Sequence, residues 1–305
     1  MNTFKGCPVF ALFALLSALA TAEAKERAPE FGFEAGAGYQ YDSNVSLAEI
    51  DQNTGEADSA LLLNAGVNAS LPIAGKLAFN IGYDYAQTSY RQFSQFDLAL
   101  HHGNAELALG VAGFDTSVTL DRFDARLDHG KFLDITQVSP AVGRLFGERF
   151  YLRGAYVHAD KSYAESETRN ALNEAIRADA YLLIDGMKRY LSFGYRVDAE
   201  DAIDDELDFD GNRAMLAYGH RIELGRVDLG VKATLQYENR DYLHVTESIG
   251  ERRRDQRLRA SLNTTVQLTE YFAITGSADY ADNRSNLASA AFDEMVYTLG
   301  LNLEF

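Results

Sequence analysis

The sequence predicts an all-β chain, a single transmembrane antiparallel up-and-down β-barrel of about fourteen strands, and three observations predict it. Apolar and polar residues alternate with period two along most of the chain, turn residues recur at a regular spacing, and no stretch beyond the N-terminus approaches the ~20 consecutive apolar residues of a membrane helix. A chain of this kind enters a membrane only as closed strands. The 24 Gly, 17 Tyr and 18 Phe, against four Pro and four Met, suit pleated strands with close backbone approaches and aromatic belts. There is no Trp, so Tyr and Phe must supply both interface girdles.

Taken in order, residues 1–24 read as a secretory signal peptide. Lys5 supplies the positive region, Val9 to Ala20 is almost wholly apolar, and Ala20-Thr-Ala22 and Ala22-Glu-Ala24 each offer a small-x-small cleavage site. The single cysteine, Cys7, falls inside that segment, so the mature chain carries no thiol and no disulfide. Residues 25–305 form one barrel domain. Short turns are expected at Pro72–Gly75, Ala112–Asp115, Phe146–Glu148, Asp185–Lys188, Glu223–Gly225 and Thr269–Glu270. Longer polar connections are expected near 43–58, 91–96, 128–131, 165–174, 200–211, 243–254 and 284–291. Thirteen connections make about fourteen strands, and an even count puts both termini on the short-turn side, expected to be periplasmic.

Several strands alternate cleanly. Leu77, Phe79, Ile81, Tyr83 and Tyr85 face lipid while Asn80, Gly82 and Asp84 face inward; Val227 to Tyr237 and Leu258 to Leu268 behave alike. Gly36 and Gly38 take alternating inward positions of the first strand, where a small residue thins the wall. The stretch 115–147 is less regular. Val118 and Leu120 lie in one phase, Phe123, Ala125 and Leu127 in the other, and Pro140 sits mid-strand, for which a bulge is the simplest account. The last strand is the most regular. Met295, Tyr297, Leu299, Leu301, Leu303 and Phe305 face one way, and Thr298, Gly300, Asn302 and Glu304 the other. A closing strand that ends on Phe resembles the C-terminal signal of bacterial outer-membrane β-barrels. That resemblance implies an outer-membrane location in a Gram-negative cell, with lipid, lipopolysaccharide and the barrel-assembly machinery as partners, and Tyr297, Leu299, Leu301, Leu303 and Phe305 as the assembly signal.

A formal net charge of −17 argues against a nucleic-acid partner, whose phosphates it would repel. Many carboxylates fall in the expected loops (Glu49, Asp51, Glu56 and Asp58; Glu165 and Glu167; Asp201 to Asp210) and read as a solvated acidic surface. The inward positions are one-sided. Arg177, Arg196, Arg213, Lys232, Arg257 and Arg259 come from the eighth to twelfth strands, whereas Glu34, Asp84, Glu106 and Asp121 come from the first five. A basic arc facing an acidic wall sets up a transverse field, an arrangement that resembles the constriction of general porins and favours small polar solutes. The rival reading is structural: Arg177 with Asp179 and Arg196 with Asp198 pair across adjacent strands and fill the lumen.

Tyr41-Asp-Ser-Asn-Val45, Arg254-Asp255, Tyr280 and Arg284-Ser-Asn286 resemble the barrel of surface lipoprotein assembly modifiers and related porin-like families. That resemblance implies a second function, assistance in moving proteins to the cell surface. In that family a helical-repeat periplasmic domain precedes the barrel, and here it would have to come from a separate periplasmic partner.

An enzyme needs a histidine held beside a serine or carboxylate with a third, orienting group. Of the histidines at 101, 102, 129, 158, 220 and 244, only His158-Ala-Asp160-Lys-Ser162 and Asp128-His129 offer local hints, and these read as solvated rim residues. Glu206, Asp208, Asp210 and Gly211 match the opening of a calcium loop, but its twelfth position falls on Ala217 instead of a bidentate Glu. Weak divalent bridging to lipopolysaccharide is the most these acidic loops suggest. The expectation is a passive channel with no catalytic group, no resident metal and no cofactor.

Overall fold

The computed structural model describes residues 28–225 and 227–305. The expected signal peptide, with Cys7, lies outside the described residues. The described chain is a closed antiparallel barrel of fourteen strands in sequential order. The strands are β1 (Glu30–Asp42), β4 (Asp58–Ala74), β5 (Leu77–Tyr90), β6 (Leu98–Val111), β7 (Phe114–Leu127), β8 (Gly130–Phe146), β9 (Phe150–Tyr163) and β10 (Ala171–Asp185). They continue as β11 (Arg189–Ala202), β12 (Phe209–Leu224), β13 (Val227–Thr246), β14 (Glu251–Gln267), β15 (Phe272–Ser285) and β16 (Phe292–Glu304). Two short strands, β2 (Ser46–Leu47) and β3 (Gln52–Asn53), pair with each other inside the first long connection. Among the described residues no helix is long and apolar enough to cross a membrane.

Closure follows from the alternation. β1 pairs with β4 on one side and β16 on the other, leaving no free edge. The outward side chains carry the apolar surface: Leu61, Leu63, Ile81, Val118, Leu120, Phe193, Leu235, Leu262 and Leu299 are all exposed, as a lipid-facing wall requires. In the last strand Tyr297, Leu299, Leu301, Leu303 and Phe305 share that exposed face. Phe305 N–H donates to Phe33 O at 2.9 Å and Phe33 N–H returns to Phe305 O at 3.0 Å. Its ring stacks on Tyr271 at 5.4 Å, so the chain's last residue sits in an aromatic cluster at the end of the barrel that carries the termini.

The connections are tighter than the sequence suggests on one side of the barrel. β7 and β8 are joined by only Asp128 and His129, with φ of 46° and 64°, where a loop over 128–131 was expected. Two consecutive left-handed residues form the kind of turn whose twist matches a hairpin. The expected loop 243–254 shrinks to 247–250, because β13 and β14 continue as a charged hairpin well past the apolar band. The expected irregularity of 115–147 is also resolved differently. β7 keeps one register through Val118, Leu120, Phe123 and Ala125, and Pro140 lies opposite Val118 without a slip. The only shift falls where Phe132 bulges opposite Ala125 and Arg126. Phe123, Ala125 and Leu127 change phase because they face inward, onto an apolar patch inside the barrel mouth.

Candidate functional site in the barrel lumen

The basic residues named from the sequence fall largely on one cross-strand row. Arg177 lies opposite Arg196, Arg196 opposite Arg213, Arg213 opposite Glu238, and Glu238 opposite Arg257. Arg259 lies opposite Gln236 and Lys232 opposite Gly219 and Asn263, nearer the short turns. Like charges directly opposite repel, and each arginine of the row is met by an acceptor. Arg177 donates to Asp179 Oδ1 from Nε and a terminal nitrogen, at 3.0 and 2.9 Å. Arg196 donates to Asn173 Oδ1 at 2.6 Å and lies 3.6 Å from Asp198. The two pairs foreseen across adjacent strands therefore form along one strand, between positions i and i+2.

Glu238 is the hub of this sector. Buried between three strands, it accepts Arg213 Nε at 2.8 Å and Arg240 Nε at 2.6 Å, with Arg257 at 3.9 Å. Arg240 lies over the Phe209 ring at 4.7 Å, and Lys161 pairs with Glu200. Neither Arg240 nor Arg253 was singled out from the sequence. For Arg253 the signal was present: the two-residue spacing of Arg253, Asp255, Arg257 and Arg259 continues the strand into what was read as a loop. Arg177 is the most open member of the row, with 39 % of its side chain exposed against 5 % for Arg257.

The opposite sector carries the acidic wall. A methyl group built on Gly66 would stand 2.7 Å from Asp84 Oδ1 and 2.9 Å from Glu34 Oε1, so the glycine leaves room for two carboxylates on neighbouring strands. His102 joins this wall. Its ring stacks on Phe123 at 4.2 Å, with Nε2 3.0 Å from Asp121 and Nδ1 3.4 Å from Asp84. Glu106 accepts Asn80 Nδ2 at 2.9 Å. His158 projects outward, 3.7 Å from Glu174, and His101 outward against Tyr83 Oη at 2.7 Å. Asparagines complete this wall. Side-chain atoms of Asn64 and Asn302 occupy the space above Gly36, those of Asn68 the space at Gly32, and those of Asn104 the space at Gly82. The inward glycines of the first strand thus make room for amides.

Between the sectors sits the connection 43–57, which folds back across the mouth. Leu47 and Ile50 pack onto the inward patch of Leu100, Ala125, Phe132, Leu133, Ile135 and Ala159. On the other side Asp51, expected as a solvated loop acid, is 8 % exposed. Arg253 grips both its oxygens, at 2.6 and 3.0 Å, and Arg169 reaches Oδ2 at 3.2 Å and Glu49 O at 3.2 Å. Burial alone would raise the Asp51 carboxyl, but hydrogen bonds and charge from Arg253 and then Arg169 outweigh it and hold it below the usual carboxylate range. Asp58 is buried too, accepting the backbone N–H groups of Ser59, Gln92 and Phe93.

Other loop acids cap backbone. Asp204 accepts Glu206 N–H, Asp208 accepts Ala202 N–H, and Glu206 accepts Glu247 N–H. The short motifs around Asn44, Arg254 and Asn286 are loop anchors. Asn44 donates to Asp293 O and accepts Gly55 N–H, Ser43 Oγ accepts Met295 N–H, and Asn286 accepts Arg254 N–H while donating to Arg252 O.

No family model matches the chain, and no curated protein matches it. Solved structures do. The anion-selective porin from Comamonas acidovorans aligns with a TM-score of 0.53 at 10 % identity, covering 91 % of this chain and 99 % of that one. OmpT, an outer membrane protein of Vibrio cholerae, aligns with a TM-score of 0.52 at 10 % identity, covering 92 % and 99 %. At such low identity the likeness speaks for architecture, and the architecture is that of the closed barrels of outer-membrane porins.

Proposed function

We propose that this chain is an outer-membrane channel that passes small polar solutes, with both termini on the periplasmic side and anions favoured over cations. The observation that carries the reading is the two-sided lumen. Arginines of β10 to β14 face carboxylates and amides of β1 and β4 to β7, and a field between such walls orients hydrated, charged or dipolar solutes while offering little to apolar ones. Carboxylates inside the basic sector offset much of its charge, so Arg177, the most open of its row, is the group placed to meet a passing anion. The architecture shared with an anion-selective porin supports a barrel channel. No catalytic group, metal or cofactor is assigned.

The test is planar-bilayer recording of the purified full chain across a salt gradient. The native barrel is expected to show discrete conductance steps and an anion-side reversal potential, and Arg177→Gln to move that potential toward cations. The shift should shrink as salt rises and screening shortens to ~3 Å near 1 M. A barrel that folds and inserts but never conducts would overturn the reading.

A further inference from the structure

The contact between the infolded loop and the wall has the form of a ligand in a receptor. Arg253 is 2 % exposed in the protein as it stands, and four of its five guanidinium N–H groups are taken: Asp255 accepts from Nε and one terminal nitrogen at 2.9 and 2.8 Å, while Asp51 accepts from both terminal nitrogens at 3.0 and 2.6 Å. The face of the cation lies 4.6 Å from the centre of the Tyr242 ring. Asp255 and Tyr242 belong to the barrel wall; Asp51 alone belongs to a loop. Two oxygens of one planar carboxylate on two nitrogens of one planar fork make a bidentate contact, stronger and more directional than general attraction of an anion to a point charge.

The loop carrying Asp51 is a compact unit with internal hydrogen bonds of its own. Val45 N–H donates to Glu56 O and Thr54 N–H to Val45 O, closing residues 45–56 into a small hairpin of their own. Besides the grip on Asp51, Arg169 donates to Glu49 O at 3.2 Å and Asn53 Nδ2 donates to Ser289 O at 3.1 Å. Its seat carries a cost as well, since Glu49 Oε1 is buried without a hydrogen-bond partner.

We propose that Arg253, with Arg169 beside it, is a binding site for the carboxylate group of small organic acids, and that Asp51 occupies it as a built-in surrogate until a solute carboxylate takes its place. A solute that exchanges with Asp51 frees the loop from the mouth and arrives at the head of the row formed by Arg257, Arg213, Arg196 and Arg177. The idea rests on the lumen being a solute path, but the binding step can be read without conduction.

Because the chain has no Trp, one introduced tryptophan reports without background. Phe96, in the turn after β5, packs on the same apolar cluster as Leu47 and Ile50, so Phe96→Trp in the full-length barrel senses whether the loop is seated. Sodium acetate should shift its emission to longer wavelength and saturate, while sodium chloride and inorganic phosphate at matched ionic strength should not. Adding Asp51→Asn to the reporter should give the shifted emission before any acetate is added, with no further response. Heat-modifiable mobility in gels confirms that both variants are folded. No response to acetate, an equal response to chloride or phosphate, or an Asp51→Asn barrel that still answers acetate would overturn the proposal. A saturating acetate shift in a barrel that is silent in bilayers would leave the binding site standing and remove the channel.

Discussion

The two sides of the lumen obey the same alternation and use it in opposite ways. On β9 to β14 the inward positions carry long charged side chains that cover one another, and Arg196, Arg253, Arg257, Asp179, Asp255 and Glu238 are buried by their own neighbours. On β1, β4, β5 and β6 glycines alternate with asparagines and carboxylates, and the inward Gly32, Glu34, Gly36, Asn64 and Asn80 remain partly open. A wall of paired charges spends its electrostatics on cohesion and presents only its outermost members to the lumen. A wall of glycine and amide gives up cohesion and keeps space. Charge in a lumen is not the same as charge available to a solute, and exposure decides which it is.

That contrast can be broken at Glu238. Replacing it with alanine leaves Arg213, Arg240 and Arg257 without their shared partner in a buried site, and a loss of about 3–5 kcal/mol is expected. The same truncation on the amide side, Asn68→Ala, removes a partly exposed group and should stay within about 0.5 kcal/mol. Urea unfolding of barrels in lipid vesicles compares the two, and similar losses would mean that the sectors do not differ in cohesion.

Inward and outward positions can be sharpened against each other within a single strand. Leu301 faces out and should tolerate arginine poorly, losing about 2–4 kcal/mol near the bilayer midplane. Asn302, its neighbour on the roomy side of the lumen, should accept arginine with far less loss in the same unfolding assay.

A smaller effect concerns the boundary between the sectors. The Asp51 carboxyl is held below the usual carboxylate range in the folded barrel. Its contribution to the seated loop is therefore complete above the unfolded value near ~3.9, and it is lost as pH falls through the lower folded value. The Phe96→Trp emission should stay constant from neutral pH down to mild acid and shift only in strong acid. A shift already complete at mild acidity would show that Arg253 does not hold Asp51 as described.

The sequence exposed the architecture because a barrel writes its fold locally. Leu299, Leu301 and Leu303 reveal their face from a two-residue period, and Gly113 and Gly147, left-handed at φ of 81° and 61°, mark turns without reference to anything distant. The same period located Arg177, Arg196, Arg213 and Arg257. It failed where inward residues are not polar. Phe123, Ala125 and Leu127 looked like a change of phase because the patch they form belongs to Leu47 and Ile50, which reach it from another part of the chain. Asp51 looked like a solvated acid because its partner Arg253 lies 202 residues away. His102 gave no local hint because Asp84 and Asp121 stand on the strands either side of its own. Pairings made by closure of the wall have no local signature.

The seam between the first and last strands shows what closure asks of the chain. β1 runs beside β4 over its whole length, Glu30–Asp42, but beside β16 only from Glu34 to Asp42, and that shorter contact begins with Glu34 directly opposite Glu304. Two carboxylates facing each other weaken the ladder where they meet. The reciprocal hydrogen bonds of Phe33 and Phe305 lie just beyond them and fasten the end. These bonds also join the most distant partners in the sequence, so their entropy of closure is the largest of any rung, and closing them removes the last free edge. Until that step both edge strands are open to foreign strands. Before closure it is β1 and β16, above all other strands, that must be kept from pairing with anything but each other.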